Sequence, residues 1–459
     1  MNLGLNFNAV LKSFVIMSIF AAMSQQIDFI KELRWRGMIH NEDALIPGTV
    51  DFLSSEKSAG YIGFDPTGTS LHIGNLATIM LLVHLQRGGH KPYALVGGAT
   101  GMVGDPSGKD AERNLLDIET IRYNEGCIKK QLEHFLDFDT KINPAEMVNN
   151  YDWFKDISFL DFLRDVGKHI TISYMMGKES VKKRLETGIS YTEFAYQLLQ
   201  GYDFMWLYQH KGVRVQMGGA DQWGNITTGT ELIRRKLGHE SKAYALTTPL
   251  ITREDGSKFG KTADGKSVWL DAEMTTPYEF YQYWINVNDG DVDRMLKVFT
   301  LFEQAEIEDL VAQQVADPRA NAGKKALATE VTRMVHGASA VANAQMLTEF
   351  LAPGKRLRAD DLTGLSESDW ASIVANSDTR SISSDRLGGG LGILELLTEL
   401  GITKSNGEAR RALQQDKSVS LNGNRIEDIG ATVNSTDAFF GKYLILTRGK
   451  KNKFLVEVH

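Results

Sequence analysis

Two short apolar runs, KSAGYIGF (57–64) and KPYALVGG (91–98), each break into a glycine-containing turn at the carboxyl end. Between them lies LHIGNLATIMLLVHLQRGG, where Leu76, Met80, Val83 and Leu85 fall near helical spacing. GVRVQMGGADQWGN (212–225) repeats the order: strand, two glycines, a polar cluster, then a helix. Strand, helix and strand joined by short glycine turns predict an α/β domain with a doubly wound parallel sheet, Rossmann-like in layout. Ligands of such sheets bind beyond the carboxyl ends of the strands, where the turns DPTGTS, ATGMVGDPSG and GGADQW would converge.

The pattern changes along the chain. The α/β domain is expected over 23–247, followed by a loop and linker over 248–275. From TTPYEFYQYWIN onward the periodicity is helical, giving an α-helical domain over 276–351 whose Met and aromatic residues serve core packing. Residues 352–392 mix Pro, Gly, Ser and Asp and read as a linker with a helix or two inside it. A small α+β module over 393–459 closes the chain with the strands KYLILTRG and KFLVEV. At the other end, SFVIMSIFAAM (13–23) is apolar but too short to span a bilayer. The reading is a 22-residue upstream extension, disordered or a misplaced start, before an amphipathic helix opening at Met23. A signal peptide is the alternative, with Ala21-Ala22-Met23 a poor cleavage site.

Composition narrows the classes. With 459 residues, 42% apolar and 24% charged, the chain is that of an ordinary soluble protein of two or three domains. Its one cysteine, Cys127, excludes a disulfide framework and disfavours a thiolate metal cluster. Net charge is −7, yet residues 401–459 carry ten Lys/Arg against six Asp/Glu. A basic tail on an acidic body is a reason to look for RNA there.

DGSKFGKTADG (255–265) looks at first like a P-loop, but Asp255 stands where that motif needs its first glycine, and more loop follows the lysine. GGATGMVGD and LGGGLG miss the dinucleotide spacing Gly-x-Gly-x-x-Gly, which disfavours nicotinamide and flavin chemistry. The first turn offers another phosphate seat. Ser70 is expected as the N-cap of the helix, with His72 in its first turn. The free N–H groups of that helix start would be joined by Thr67 and His72 as donors. Alone, these residues fit a merely capped helix, its imidazole a surface polar group, better than a phosphate seat.

Taken together, the stretches carry more. GFDPTGTSLHIGN resembles the HIGH motif of class I aminoacyl-tRNA synthetases and KFGKT their KMSKS loop, while GGADQWGN and YQLLQGYDF narrow the resemblance to the tyrosyl-tRNA synthetases of bacterial or organellar type. It runs from about Gln25 to the C-terminus. The resemblance implies activation of L-tyrosine with ATP, release of pyrophosphate, and transfer of tyrosine to the terminal ribose of tRNA(Tyr). It implies that Thr67, His72 and Asn75 meet the phosphates from one side, and that Lys258, Lys261 and Thr262 close from the other. Gly63, Asp65, Gly74, Gly219 and Asp221 would complete the ATP site, and Lys109 and Arg113 would be further contacts on a mobile loop. Mg²⁺ would ride on ATP and pyrophosphate, with no protein metal cage. Tyr61 and Asp203 would face the substrate phenol, and Asp105, Tyr196, Gln200 and Gln222 would hold its ammonium and carboxylate. Tyr196, Gln200 and Asp203 stand at i, i+4 and i+7, one face of a helix. Asn75 departs from the motif, since HIGH has its second histidine there; an amide keeps a donor of similar reach.

SNGEARRALQQDKSVSLNGNRI looks like the small RNA-binding domain shared with a ribosomal small-subunit protein and pseudouridine synthases. Arg410, Arg411 and Lys417, with Lys450 and Lys451 in RGKKNK, would meet RNA phosphates, although solvated helix charge explains any one of them as well. The family further implies a cytoplasmic homodimer without a membrane segment. Tryptophanyl-tRNA synthetase is the nearest rival, disfavoured by Tyr61 with Asp203 and by the appended module. A non-catalytic RNA-binding relative would have no need of His72, Lys258 and Lys261 together.

Overall fold

β1 (Ala59–Phe64) lies at the centre of a five-stranded sheet, flanked by β2 (Lys91–Val96) and β4 (Val213–Gly219), with β3 (Glu146–Asn149) and β5 (Tyr244–Thr248) at the edges. Every pairing in the order β3-β2-β1-β4-β5 is parallel, so the doubly wound sheet expected from the sequence is present. The order reverses between β1 and β4, and the crevice at their carboxyl ends is the topological switch point where ligands of such sheets bind. The computed structural model describes residues 27–105, 116–185, 188–252, 259–262, 265–352, 357–377, 379–449 and 452–459.

Five helices pack around that sheet: α1 (Phe29–Arg36), α2 (Ile73–Arg87), α3 (Ile118–Leu132), α4 (Tyr191–Lys211) and α5 (Trp223–Leu237). Helix α2 is apolar on nearly every side and correspondingly buried; Leu76, Met80, Val83 and Leu85 are among its enclosed residues. Cys127 is half-buried on α3. The helical segment that follows holds α6 (Pro277–Ile285), α7 (Val292–Phe299), α8 (Gln304–Ala316) and α9 (Ala322–His336). In α6, Phe280, Tyr281 and Trp284 are buried, as their spacing predicts. Arg36, itself buried, donates to the carbonyls of Lys297, Thr300 and Phe302 at 2.7–2.9 Å, so α1 caps the carboxyl end of α7.

The chain divides into two compact units at Ala338/Ser339, so the helical segment through Ala338 groups with the sheet. The second unit contains α10 (Glu367–Ala375), α11 (Ile393–Glu399) and α12 (Asn406–Gln414). Its main sheet runs β6-β12-β11-β8-β9, from β6 (Thr379–Ile382), β8 (Val419–Leu421), β9 (Asn424–Arg425), β11 (Tyr443–Arg448) and β12 (Asn452–Val458). The small strands β7 (Leu391–Gly392) and β10 (Thr432–Val433) pair separately. Residues expected as linker thus supply an edge strand: β6 lies parallel to β12. Leu396, Leu397, Leu413, Leu444 and Val456 form this unit's own apolar core.

Candidate active site

Helix α2 begins at Ile73, and its N-cap is His72, which corrects the expectation for Ser70. The His72 Nδ1 accepts the Gly74 N–H at 3.0 Å, so in the neutral ring the proton sits on Nε2. Asn75 answers from the third helical position: its Oδ1 accepts the His72 N–H at 3.1 Å, completing a capping box. Gly74 must be glycine for this geometry, because a Cβ there would lie 2.7 Å from the imidazole. The Ser70 hydroxyl is engaged elsewhere. It donates to Leu71 O and accepts from Gln131 Nε2 and from the Asp271 N–H.

That last bond belongs to a seam joining the stretch around His72 to the one around Lys261. The Ile73 N–H reaches Val268 O at 3.0 Å and the Leu270 N–H reaches Leu71 O at 2.8 Å, with Trp269 bridged to His72 and its ring edge-on to the imidazole. The segment before it is anchored by Phe259, whose ring packs against Tyr283, Trp284 and Phe299. Gly260, at φ +97°, sits against the start of α2, and Lys261 is exposed and bridged to Ser267. Thr262 braces the turn through Lys266. Lys258, Lys109 and Arg113 lie outside the described residues. Thr67 and Gly63 are exposed at the end of β1.

On the other side of the crevice the polar groups converge. Tyr196, Gln200 and Asp203 share one face of α4, as their spacing predicts. Asp65 accepts the Tyr196 hydroxyl on one oxygen and the Thr100 hydroxyl on the other, both at 2.7 Å. The carboxylate has room only because residue 97 is glycine, where a Cβ would fall 2.1 Å from Asp65 Oδ1. Asp65, expected at the nucleotide, therefore stands in the same network as Tyr196. Asp105 accepts from Gln222 at 2.8 Å and from Asn225 at 3.3 Å, and Asn225 also donates to Gln200. Burial and neighbouring Asp105 raise the Asp221 carboxyl above its usual range. A Cβ on Gly219 would lie 2.6 Å from that carboxylate.

Asp203 is fully enclosed. Its Oδ1 accepts the Trp153 indole N–H at 2.8 Å and its Oδ2 accepts Asn150 Nδ2 at 3.1 Å. Burial raises its pKa to about 8 against the opposing pull of those two donors. The buried Tyr61 hydroxyl has no hydrogen-bond partner among the described residues, and burial, then Asp203, push its pKa well up. A buried hydroxyl without a partner beside a carboxyl is chemistry that a phenolic ligand would complete.

Thr100, Asn150, Trp153 and Asn225 were not singled out from the sequence. Thr100 and Asn225 fall inside glycine motifs that pointed here, whereas Asn150 and Trp153 are carried in by the end of β3, where Asn150 is tied to Val96, Ala99 and Thr100. In the second unit, Arg410 and Arg411 are exposed on α12; Lys417, at φ +46°, pairs with Glu427 at 2.8 Å. Lys450 and Lys451 lie outside the described residues. Among the described residues, no group of three His, Cys, Asp or Glu side chains could hold a metal ion.

Comparison with known proteins places this geometry among relatives. The family model "tRNA synthetases class I (W and Y)" matches residues 54–351, and "Tyrosine--tRNA ligase SYY-like C-terminal domain" matches 377–456. The tyrosine--tRNA ligase of Bacteroides fragilis is 51% identical over 436 residues, 94% of this chain and 99% of the relative. That of Amoebophilus asiaticus is 52% identical over 434 residues, again 94% and 99%. Among solved structures, a C-terminally truncated mitochondrial tyrosyl-tRNA synthetase of Aspergillus nidulans superposes with a TM-score of 0.63 at 29% identity, covering 74% of this chain and 99% of that one.

Proposed function

The chain belongs to the tyrosine--tRNA ligases, within the class I aminoacyl-tRNA synthetases, and from that membership we propose how its own residues carry the reaction. It activates L-tyrosine with ATP to tyrosyl-adenylate and pyrophosphate, then passes tyrosine to the 3′-terminal ribose of tRNA(Tyr).

Tyrosine enters the crevice with its phenol between Tyr61 and Asp203, which exchange hydrogen bonds with it, and its ammonium toward Asp65, Asp105, Tyr196 and Gln200. Gln222 lies at the carboxylate, whose oxygen attacks the α-phosphorus. Negative charge then builds on the phosphoryl oxygens, so the chemistry needs positioning and donors more than proton transfer. His72 Nε2, Thr67 and the Asn75 amide supply them from one side, and Lys258 and Lys261 from the other; the N–H groups at the start of α2, expected there too, are already given by Ile73 to Val268 O and by Gly74 to His72 Nδ1. Thr262 holds the lysine turn in shape. Gly219 and Asp221 seat the nucleoside. Mg²⁺ would be held by the phosphates of ATP and pyrophosphate, where it would offset their negative charge, with no side chain of this chain assigned to it.

The α6–α9 segment and the second unit serve tRNA, with Arg410, Arg411 and Lys417 meeting its backbone. The working form is a cytoplasmic homodimer. In support, large apolar side chains stand exposed at Leu160 (75%), Ile172 (66%) and Tyr191 (65%). No helix among the described residues is long and apolar enough to cross a membrane.

The observation that carries the residue assignments is the buried Tyr61 hydroxyl, without a hydrogen-bond partner among the described residues, within electrostatic reach of the buried, doubly donated Asp203. Amino-acid-dependent ATP–pyrophosphate exchange tests it, with tyrosine, phenylalanine and tryptophan in parallel. Exchange with tyrosine that Asp203→Ala reduces to the phenylalanine level is the expected result; an unchanged preference in that variant removes the phenol assignment.

A further inference from the structure

We propose that Trp206 is a positioning residue for tyrosine recognition, its indole stacking on Trp153 and so fixing the N–H that Trp153 directs at Asp203. The proposal rests on Asp203 being the phenol partner. Trp153 comes from the short helix Tyr151–Phe154 after β3, whereas Asp203 and Trp206 lie one turn apart on α4. The two indoles are stacked with centroids 4.3 Å apart and planes 13° from parallel. The other face of Trp206 is covered by the exposed His210 ring, again at 4.3 Å and at 18°, with His210 Nδ1 2.9 Å from Trp206 O. Three rings thus form a column running from the surface to the donor on Asp203.

An indole held only at its edge can turn about its side-chain torsions and carry Nε1 away from the carboxyl. Stacking fixes the ring plane, and offset-stacked aromatic pairs have a definite preferred geometry. Trp206 and Trp153 also wall a surface cleft of about 570 Å³. Among the cleft's charges, Arg122 pairs with Glu125 and Lys211 with Glu146, and Lys129 and Asp152 line it as well.

The test is ATP–pyrophosphate exchange by the full chain, with kcat and KM measured separately for tyrosine and phenylalanine. Trp206→Leu keeps apolar bulk but removes the ring. It should lower the preference for tyrosine over phenylalanine by roughly tenfold, the order expected when a hydrogen bond to a buried carboxyl is misaligned. That loss should fall on KM for tyrosine more than on kcat, and Trp206→Phe should recover most of it. Because the effect passes through Trp153, Trp206→Leu should add nothing in a Trp153→Phe background. If Trp206→Leu fails to fold, His210→Ala loosens the same column from an exposed position and should shift the preference in the same direction. Asp203→Asn separates the two readings. A lost preference there with an intact one in Trp206→Leu overturns this proposal alone, as does a full extra loss in the Trp153→Phe background. An intact preference in Asp203→Asn overturns the phenol assignment and this proposal with it.

Discussion

Trp153 gives its indole N–H to Asp203 at 2.8 Å, inside a pocket where burial outweighs that donor and lifts the carboxyl pKa to about 8. An unfolded aspartate titrates near about 3.9. Between those values the folded chain holds a proton that the unfolded chain has lost, so this group makes stability fall as pH rises through the window. Asp203→Asn removes the titration. The melting temperature of the variant minus that of the native chain should therefore increase from about pH 5 to about pH 8.5. A difference that stays flat across that range, by calorimetry without ligand, would mean that Asp203 ionises like an ordinary surface carboxyl.

Gly97 tests how tightly the amino-acid site is built. An added methyl would meet Asp65 Oδ1 at 2.1 Å and Thr100 Oγ1 at 2.4 Å, so the carboxylate must shift, disturbing the bonds it accepts from Thr100 on that oxygen and from Tyr196 on the other. Gly97→Ala should raise KM for tyrosine at least tenfold, about 1.4 kcal/mol of binding. Gly126→Ala is the control, since nothing lies within 4 Å of a methyl there and the site is inside helix α3. It should stabilise the chain by about 0.5–1 kcal/mol through helix propensity and leave KM alone. Equal KM values in the two variants would detach Gly97 from the site.

What the sequence revealed and what it hid divide along physical lines. Short apolar runs ending in glycine announce buried parallel strands, and the i, i+4, i+7 spacing of Tyr196, Gln200 and Asp203 needs only a helix to bring them to one face. Ser70 misled because serine is a preferred N-cap type. Its hydroxyl instead joins Gln131 and Asp271, the latter 201 residues away, a partnership no local pattern encodes. Asn150 and Trp153 were silent for the same reason: each reaches Asp203 across about fifty residues of chain. The strand β6 was hidden by its length of four residues and its position as an edge, where little apolar alternation is required.

Asn75 has two jobs that substitution can separate. Its oxygen completes the capping box with His72, while its N–H₂ is the group proposed to meet phosphate. Asn75→Asp keeps the acceptor and adds charge favourable to a helix N-terminus, so the melting temperature should hold or rise slightly. The same charge repels the phosphates, and kcat for exchange should fall at least tenfold, or about 1.4 kcal/mol. Asn75→Ala should lose both functions, with about 1 kcal/mol of stability gone with the cap. Full activity in Asn75→Asp would confine this residue to the cap.

The lysine loop is held by an aromatic residue. Phe259 stacks on Phe299 at 5.4 Å and meets Tyr283 and Trp284, and the next N–H, of Gly260, reaches the Tyr283 hydroxyl at 3.3 Å. These contacts fix the arm two residues before Lys261, directly against the start of α2. Phe259→Ala would leave both proposed lysines in the chain but release the arm that aims them. Positioning of this kind acts in the transition state, where charge on the phosphates is greatest. The expected outcome is a fall in kcat for pyrophosphate exchange of at least tenfold, about 1.4 kcal/mol, with KM for tyrosine close to the native value, because the phenol pocket lies on α4. Phe259→Leu, which keeps apolar bulk, should fall between the two. If KM for tyrosine rises in step with the loss of kcat, the aromatic anchor supports the whole crevice, and the loop alone is not its charge.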